Sequence, residues 1–324
     1  MIIKRFAAAL VLAAVLPAAA QEAYPSRPVR VLVPYAPGGA TDIIARIVAA
    51  KLTDSLGHSF VVENRPGANG NIALEATAKA APDGYTLLVG NVSTNAINEN
   101  IYREQLGIQP SRDLTGITKL VEIPHIVVAS ASFPPNSIAE LIAVAKKEPG
   151  KINFASVGLG SYPHLDMERF MKAAGIELTH VPYKGGAGQA IPAMLGGEVQ
   201  LAFFNMASLL PHIKSGRLKA LAAVPAQRLP ELPDVPTVAE AGFGNIDIRL
   251  QWIGAFATAG TPPGVVRKIE ATMRQVLADP TMRDKLKALA YTPDGRPGEE
   301  FRLLIDADIK TYSDVVKAAN LKFD

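Results

Sequence analysis

Apolar residues along the chain follow two alternating patterns. Short continuous runs, such as RVLVPY at positions 30–35, are typical of buried β-strands. Between these runs, apolar residues recur at the spacing of one helical face. The first such stretch ends at Gly57 and places these residues on one face: Ile43, Ile44, Ile47, Val48, Leu52 and Leu56. Strands that alternate with helices predict an α/β fold with largely parallel sheets.

The strand-like runs continue through most of the chain. Those that follow the first are FVVEN, YTLLVGN, PHIVVAS, KINFASVG, LTHVPYKG, VQLAFFN, LKALAAV and IRLQWIGAFA. From Pro262 onward the pattern is almost wholly helical, and this segment has too few strand signals to form its own sheet. We therefore expect it to pack back against the first part of the chain.

The order of these patterns predicts two domains, which a length of 324 residues also favours. The middle segment has its own strands and helices, and a proline-rich stretch after it is suited to a return connection. We expect residues 21–122 and 226–324 to form the first lobe, and residues 123–225 to be inserted as the second. The chain would then cross between the lobes near Glu122 and Pro225.

The first 20 residues have the form of a secretory signal peptide. Lys4 and Arg5 precede an apolar stretch that ends in the small residues Ala18, Ala19 and Ala20, a typical cleavage site. We expect residues 1–20 to be removed on export to the periplasm. No later apolar run reaches the length of about 20 residues that a membrane-spanning helix needs.

Composition excludes several kinds of site. The chain has no cysteine, which excludes disulfides and thiolate metal ligands. Without Lys4 and Arg5, 31 of the 33 basic residues remain against 30 acidic ones. This near-neutral balance gives no electrostatic footprint for nucleic acid, so we expect no such partner. The histidines lack paired metal-ligand spacing, and we expect neither a metal nor a cofactor.

Glycine-rich turns between a strand and a helix are the main candidate binding features. They are YAPGGATD, GNVSTNA, NFASVGLGSYPHL and VPYKGGAGQA. In α/β folds such turns lie beyond the carboxyl ends of strands, where ligands bind. Helix starts there leave backbone N–H groups unpaired, and the helix dipole favours an anion. Any one turn could merely connect two elements, but two in each predicted lobe favour a shared anion site.

Two enzymatic interpretations have weaker support. Gly38 and Gly39 are adjacent, so no G-x-G-x-x-G dinucleotide motif forms, and no Walker motif occurs. The nucleophile elbow G-x-S-x-G is also missing. Ser161 and His164 have a spacing that could bring them together as a hydrolase would need. The simpler interpretation is that Ser161 caps a helix and His164 is an ordinary residue of its first turn.

Three further side chains have two interpretations each. Lys184 could attract a carboxylate into a cleft, or it could be a solvated surface lysine. Trp252, the only tryptophan, could form an apolar wall of the cleft or pack in a core. Asp42 stabilises the helix start electrostatically but would repel an incoming carboxylate. We expect Asp42 to turn back onto local N–H groups, or to hold water or a ligand hydroxyl or amine.

Several long segments match one protein family in the same order. They are YPSRPVRVLVPYAPGGATDIIARIVAAKL, VVENRPGANGNIA, AAPDGYTLLVGN, HVPYKGGAGQAIPAMLGGEVQLAF, LPHIKSGRLKALA, LPDVPTVAEAG and AGTPPGVV. Through them the chain resembles the Bug family, the periplasmic solute-binding proteins of tripartite tricarboxylate transporters. The likeness covers essentially the whole chain after the signal peptide. It implies a two-lobed type II periplasmic binding protein, a Venus flytrap, in which each lobe has a mixed, largely parallel sheet flanked by helices.

The resemblance also implies which residues bind the ligand. In such relatives, loops of both lobes hold a carboxylate through main-chain amides, hydroxyls and ordered water. In the first lobe the corresponding residues are Tyr35, Ala36, Gly38, Gly39, Ala40, Thr41, Asp42, Asn91, Ser93 and Thr94. In the second lobe they are Ser156, Gly158, Gly160, Ser161, Lys184, Gly185, Gly186 and Asn205. We add Trp252 as the candidate apolar wall.

Two positions depart from the pattern of the family. Phe204 stands where relatives often have an aspartate, and Tyr162 with Pro163 replaces a more polar stretch. Both departures would make the cleft less polar or narrower. We therefore favour, as a hypothesis, an organic acid without a charged amine.

The function that the resemblance implies is binding, without chemical conversion. A small carboxylate would be captured between the lobes, which hinge shut, and passed to one large and one small integral membrane subunit. We expect a monomer and no enzymatic activity. A ligand-sensing module for a signalling receptor remains an alternative, because it needs the same closing motion. A secreted hydrolase is the weaker alternative.

Overall fold

In the computed structural model, which describes residues 24–225, 227–246, 248 and 250–319, the strands form two separate sheets. The predicted signal peptide lies outside the described residues. The strands are β1 (Val29–Val33), β2 (Phe60–Asn64), β3 (Thr86–Asn91), β4 (Leu114–Ile123), β5 (His125–Ser130), β6 (Asn153–Ser156), β7 (Thr179–Pro182), β8 (Leu201–Asn205), β9 (Leu218–Ala223), β10 (Gln251–Thr258) and β11 (Thr292–Pro297).

The helices surround both sheets. They are α1 (Ala40–Leu56), α2 (Asn71–Ala78), α3 (Asn98–Ile101), α4 (Pro110–Asp113), α5 (Ile138–Lys147), α6 (Tyr162–Ala174), α7 (Ala187–Leu195), α8 (Met206–Lys214), α9 (Pro263–Ala278), α10 (Pro280–Ala288) and α11 (Gly298–Ala319). Short π-helical turns occur at Ser93–Ile97 and Ala239–Phe243, and a 3₁₀ turn at Ala68–Gly70. Among the described residues, no helix is long and apolar enough to cross a membrane.

The first sheet has the strand order β11-β4-β10-β3-β1-β2. β1 pairs in parallel with β2 and β3, whereas β10 runs antiparallel to both β3 and β4. β11, which lies in the last third of the chain, adds an edge strand beside β4. This strand is an exception to the all-helical expectation for that segment. Through β11 the segment joins the first sheet.

The second sheet has the order β7-β6-β8-β5-β9, in which only β5 runs against the others. Alternate side chains of each strand point to opposite faces, so each sheet has two apolar faces, and helices cover both of them. Helices α1, α9 and α10 pack on one face of the first sheet, and α2, α3 and α11 on the other. Helices α7 and α8 cover one face of the second sheet, and α5 and α6 the other.

The chain passes between the two sheets twice. Pro124 alone separates β4 of the first sheet from β5 of the second, so the chain first crosses there. After β9 the chain stays on the second lobe. Leu229 is buried in the core on one face of the second sheet, while Val238 is buried and Ile248 packs in the core on the other face. We therefore infer that the second crossing follows Ile248, and does not lie near Pro225. The apolar residues of the return connection need a core to cover them, and that of the second lobe is the nearest.

Candidate functional site

A small cavity lies where the two lobes meet. Its volume is about 20 Å³, and residues of both lobes line it: Tyr35, Gly39, Ala40, Thr41, Asn91, Val157, Tyr162, Ala187, Asn205 and Gln251. The first lobe contributes the loop after β1, the end of β3 and the start of β10. The second lobe contributes the ends of β6 and β8 and the starts of two helices.

Within the described part of the chain, four helices begin at this cavity. α1 begins at Ala40, α6 at Tyr162 and α7 at Ala187, while Asn205 is the N-cap of α8. The first N–H groups of a helix have no partner within the helix, and they carry the positive end of its dipole. Their convergence from two lobes makes the cavity suited to an anion.

The described residues that line the cavity include no Asp, Glu, Lys or Arg. The nearby acidic residue Asp42 is buried, and its carboxylate is used locally. It accepts hydrogen bonds from the N–H of Gly38 at 3.0 Å and from Asn64 Nδ2 at 2.9 Å, and it forms a salt bridge with Arg46 at 2.9 Å. Burial raises the pKa of Asp42, but these bonds outweigh it and lower the pKa below its usual value. As predicted, Asp42 turns back onto a local N–H group.

Neutral polar side chains of the first lobe form a connected network at the cavity. The Tyr35 hydroxyl donates to Asn91 Oδ1 at 3.3 Å, and Asn91 Nδ2 lies 3.5 Å from Thr41 Oγ1. Asn91 Oδ1 also accepts from the backbone N–H groups of Ser93 and Thr94, which start the π-helical turn. Asn91 is thereby fixed by its own turn. Thr41 Oγ1 is an acceptor in this contact, so its proton is available to a ligand.

The second lobe presents Tyr162 to the same space. Asn205 Nδ2 donates to the Tyr162 hydroxyl at 3.0 Å, which leaves the phenolic proton free to be donated. Burial raises the pKa of Tyr162 well above its usual value, so the phenol stays protonated at neutral pH. The ring stacks on His125 with centroids 4.5 Å apart, and His125 Nδ1 lies 3.0 Å from Asp166 Oδ2.

Direct hydrogen bonds hold the lobes together around the cavity. The N–H of Ala36 donates to Gly185 O at 2.9 Å, and the N–H of Ala40 donates to Ser208 Oγ at 2.8 Å. The N–H of Tyr162 donates to Ser93 Oγ at 3.1 Å. Each of these bonds joins one lobe to the other. The structure therefore has the lobes in a closed arrangement.

The structure places the predicted site residues in three groups. Six of them line the cavity: Tyr35, Gly39, Ala40, Thr41, Asn91 and Asn205. Others support that lining without reaching it: Ala36, Gly38, Asp42, Ser93, Thr94, Gly185 and Gly186. The remaining ones lie apart from the lining: Ser156, Gly158, Gly160, Ser161, Lys184 and Trp252.

The loop that follows β6 is held by its own hydrogen bonds. Ser156 Oγ and Ser161 Oγ both donate to Gly158 O, at 2.9 and 2.6 Å. The Ser161 side chain therefore does not cap α6, although Ser161 occupies the N-cap position. His164 Nδ1 accepts from the N–H of Gly160 at 3.0 Å, so the Ser161–His164 pair of the hydrolase interpretation does not form. Lys184 is exposed to solvent.

Trp252 packs in the core of the first lobe and not in the cleft. Its Nε1 donates to Asp308 Oδ2 at 2.6 Å, and its ring meets Phe301 edge-on at 5.0 Å. The adjacent Gln251 lines the cavity instead, because neighbouring strand residues point to opposite faces. Phe204 is likewise fully buried in the second-lobe core, outside the cavity lining.

Four lining residues were not among the predicted ligand contacts: Val157, Tyr162, Ala187 and Gln251. Tyr162 was expected to narrow the site, and it does form part of the wall. Val157 and Ala187 are apolar and carry no chemical signal in the sequence. The described residues also include no group of three or more His, Asp or Glu side chains that could hold a metal ion.

A family model described as "Tripartite tricarboxylate transporter family receptor" matches residues 44–321. The chain belongs to this receptor family. Protein BugT of Bordetella pertussis is 35% identical over 301 residues, which cover 93% of this chain and 92% of BugT. The resemblance to the Bug family is thus confirmed. Receptors of this family are solute-binding proteins, so the chain is a binding protein and not an enzyme.

Solved structures of two relatives have the same fold as this receptor. Rpa4515 of R. palustris, described with adipate, is 33% identical with a TM-score of 0.88, covering 92% of this chain and 99% of Rpa4515. MatC of Rhodopseudomonas palustris, described with bound malate, is 32% identical with a TM-score of 0.84, covering 90% of this chain and 100% of MatC. The predicted two-lobed type II periplasmic binding protein fold is confirmed.

Proposed function

We propose that this receptor captures a small carboxylate between its lobes and delivers it to the large and small membrane subunits of a tripartite tricarboxylate transporter. One observation carries the proposal: four helix starts converge on a cavity whose lining has no charged side chain. Backbone dipoles and neutral donors can hold an anion there without a counter-charge. The relatives described with adipate and malate support a carboxylate as the anion.

Each lobe supplies a separate set of donors. In the first lobe these are the hydroxyl and N–H of Thr41, because the N–H of Ala40 already donates to Ser208 Oγ; in the second they are the Tyr162 hydroxyl and the N–H of Ala187, which begins α7. A ligand that bridges the two sets binds the closed form better than the open form. Binding therefore shifts the population of the protein toward closure.

Closure and ligand binding strengthen each other. The interlobe bonds from Ala36 to Gly185 and from Ala40 to Ser208 hold the lobes together beside the cavity, and closing on a ligand displaces bulk water from it. Hydrogen bonds to a charged oxygen are stronger in such a medium than in water. A cavity of about 20 Å³ has room for roughly one water molecule. A carboxylate needs more space, so the lobes must part to admit it. When they close around it, the cavity must be slightly wider than in this structure.

A calorimetric titration tests the capture step. The mature protein is titrated with mono- and dicarboxylic acids and with their neutral amides of the same shape. We expect one or more acids to bind and the matched amides to fail. Thr41→Val, which keeps the shape but removes a donor, should weaken acid binding by about ten-fold. If the amides bind as well as the acids, the anion site is refuted.

Delivery needs a separate test. Proteoliposomes that contain the large and small membrane subunits are supplied with labelled acid, with and without this receptor. We expect uptake only when the receptor is present, and the released acid should be chemically unchanged by mass spectrometry. Receptor-independent uptake would refute delivery while leaving capture intact, and it would favour the sensing role.

A further inference from the structure

The side chain of Gln251 has an unusual place in the cavity. Gln251 is the first residue of β10, it is among the residues that line the cavity, and it is only 2% exposed. Its Oε1 atom is fully buried and has no hydrogen-bond partner among the described residues. Buried amide oxygens are nearly always paired, because an unpaired one costs about 1–3 kcal/mol.

Gln251 differs in this respect from the rest of the lining. The other buried side-chain atoms without a partner belong to Asn69, Asn95, His125 and Asp166, and none of these residues lines the cavity. Gln251 is thus the lining residue, among those described, whose buried polar atom is left without a partner. The backbone holds this residue in register, since Gln251 pairs with Ile123 of β4. The backbone of Gln251 is therefore a fixed part of the wall.

An amide oxygen accepts hydrogen bonds, and an ionised carboxylate cannot donate one. The partner of Oε1 is therefore an ordered water or a second ligand group with a hydrogen to donate, and the ligand groups that can take the place of such a water are a hydroxyl and an ammonium. An ammonium would face the positive ends of several helices, with no acidic side chain in the described lining to balance it. Asp42, in the first turn of α1, is already bonded to Arg46, Asn64 and Gly38. A neutral hydroxyl meets no such penalty.

The shared lining restricts where that hydroxyl can be. Thr41, Tyr162 and Gln251 all line the one small cavity, so the donors for the carboxylate and the acceptor for the hydroxyl are close together. A hydroxyl on the carbon next to the carboxylate, as in an α-hydroxy acid, stays near these groups when the lobes close around the ligand. A hydroxyl on a distant carbon is carried away from them.

We propose that Gln251 selects α-hydroxy acids by accepting a hydrogen bond from the ligand hydroxyl at Oε1. This inference rests on the proposed capture of a carboxylate. It assigns a role in ligand choice to a residue next to Trp252, which faces the opposite side of the strand. It also predicts the rejection of matched amino acids, whose ammonium group would replace the hydroxyl.

The test compares acids that differ only at the adjacent carbon: lactate with propionate and alanine, and malate with succinate and aspartate. For at least one set, we expect wild-type protein to bind the hydroxy acid at least ten-fold more tightly than its partners, as the loss of one buried hydrogen bond implies. Gln251→Met has a similar length and no strong acceptor. In this variant the ratio of the affinity for the hydroxy acid to that for the deoxy acid should fall to about one or two, mainly because the hydroxy acid binds more weakly.

The outcomes separate this inference from the proposed function. If no acid binds, capture itself fails. If hydroxy and deoxy acids bind equally to wild-type protein, capture stands and the role of Gln251 is refuted. Equal loss of both acids in Gln251→Met would mean that the amide donates to the carboxylate, which also overturns the inference. Tighter binding of the amino acid than of the matched hydroxy acid would also overturn the inference. The wild-type comparison remains decisive even if the variant does not fold.

Discussion

The backbone N–H of Ala36 donates a hydrogen bond of 2.9 Å to the carbonyl oxygen of Gly185, and so joins the loop after β1 to the loop after β7. Glycine permits this approach on the second-lobe side. A Cβ on Gly186 would lie 2.8 Å from Tyr35 Cδ1, and one on Gly188 would lie 2.4 Å from Pro37 O. Closure therefore depends on the absence of a side chain at Gly186 and Gly188, which lie against Tyr35 and the backbone of Pro37.

Gly188→Ala should separate closure from folding. Gly188 is the second residue of α7 and has no positive φ, so alanine suits the helix and should leave the free energy of unfolding unchanged or raise it by up to about 1 kcal/mol. The added methyl group would meet the first-lobe backbone only when the lobes are shut. We expect affinity for the bound acid to fall by about ten-fold or more, measured by calorimetry.

Gly264→Ala is the matched control for this variant. Gly264 is the second residue of α9, and a Cβ there would have no atom within 4 Å. It should change stability in the same direction without any effect on affinity. If both variants bind the acid as wild-type protein does, the closed arrangement is not the binding form.

Trp252→Phe should destabilise the protein without altering ligand affinity. The substitution removes the hydrogen bond to Asp308 and part of a ring that packs on Phe301. We expect the free energy of unfolding to fall by about 2–3 kcal/mol in urea denaturation. Affinity should change less than about two-fold, because the ring lies on the core side of β10. A large loss of affinity at unchanged stability would show instead that Trp252 contacts the ligand in the cleft.

His180 should make the receptor less stable in mild acid. Burial, with a smaller effect of the His164 ring stacked at 3.9 Å, lowers the pKa of His180 to about 3. Between this value and the usual value of 6.5 the unfolded chain binds the extra proton. The contribution of His180 is therefore fully present above pH 6.5 and is lost as the pH falls toward 3.

Thermal unfolding of wild-type protein and His180→Phe measures this effect. Phenylalanine can keep the stacking with Phe154 but cannot take up a proton. The Tm of wild-type protein should drop more steeply than that of the variant between pH 6.5 and 4.5. Expressed as free energy of unfolding, the difference between the two slopes is at most about 1.4 kcal/mol per pH unit. It is smaller in practice because the ring is partly exposed. Parallel curves for the two proteins would contradict the assigned pKa shift.

The features that could be predicted from the sequence are those with a local physical cause. The alternation of strands and helices, the glycine turns and the inward turn of Asp42 all follow from short stretches of chain. The turn YAPGGATD was sufficient to place Gly39, Ala40 and Thr41 at a helix start, where the structure has them lining the cavity.

The features that could not be predicted depend on how the two lobes meet. Val157 and Ala187 become site residues only because distant segments close over the same space. The alternation of β10 shows that Gln251 and Trp252 face opposite sides, but not which side faces the cleft. Likewise, where the return connection leaves the second lobe depends on which lobe's core buries Val238. The proline-rich sequence does not show which core that is.

Small-angle X-ray scattering of the mature protein tests the central claim most directly, with and without a saturating amount of the tightest-binding acid in the titrated series. We predict a smaller radius of gyration for wild-type protein when the acid is added, because the ligand bridges helix starts of both lobes and shifts the population toward closure. Gly188→Ala should show a reduced change. A radius of gyration that stays constant at saturation would contradict capture by closure of the two lobes.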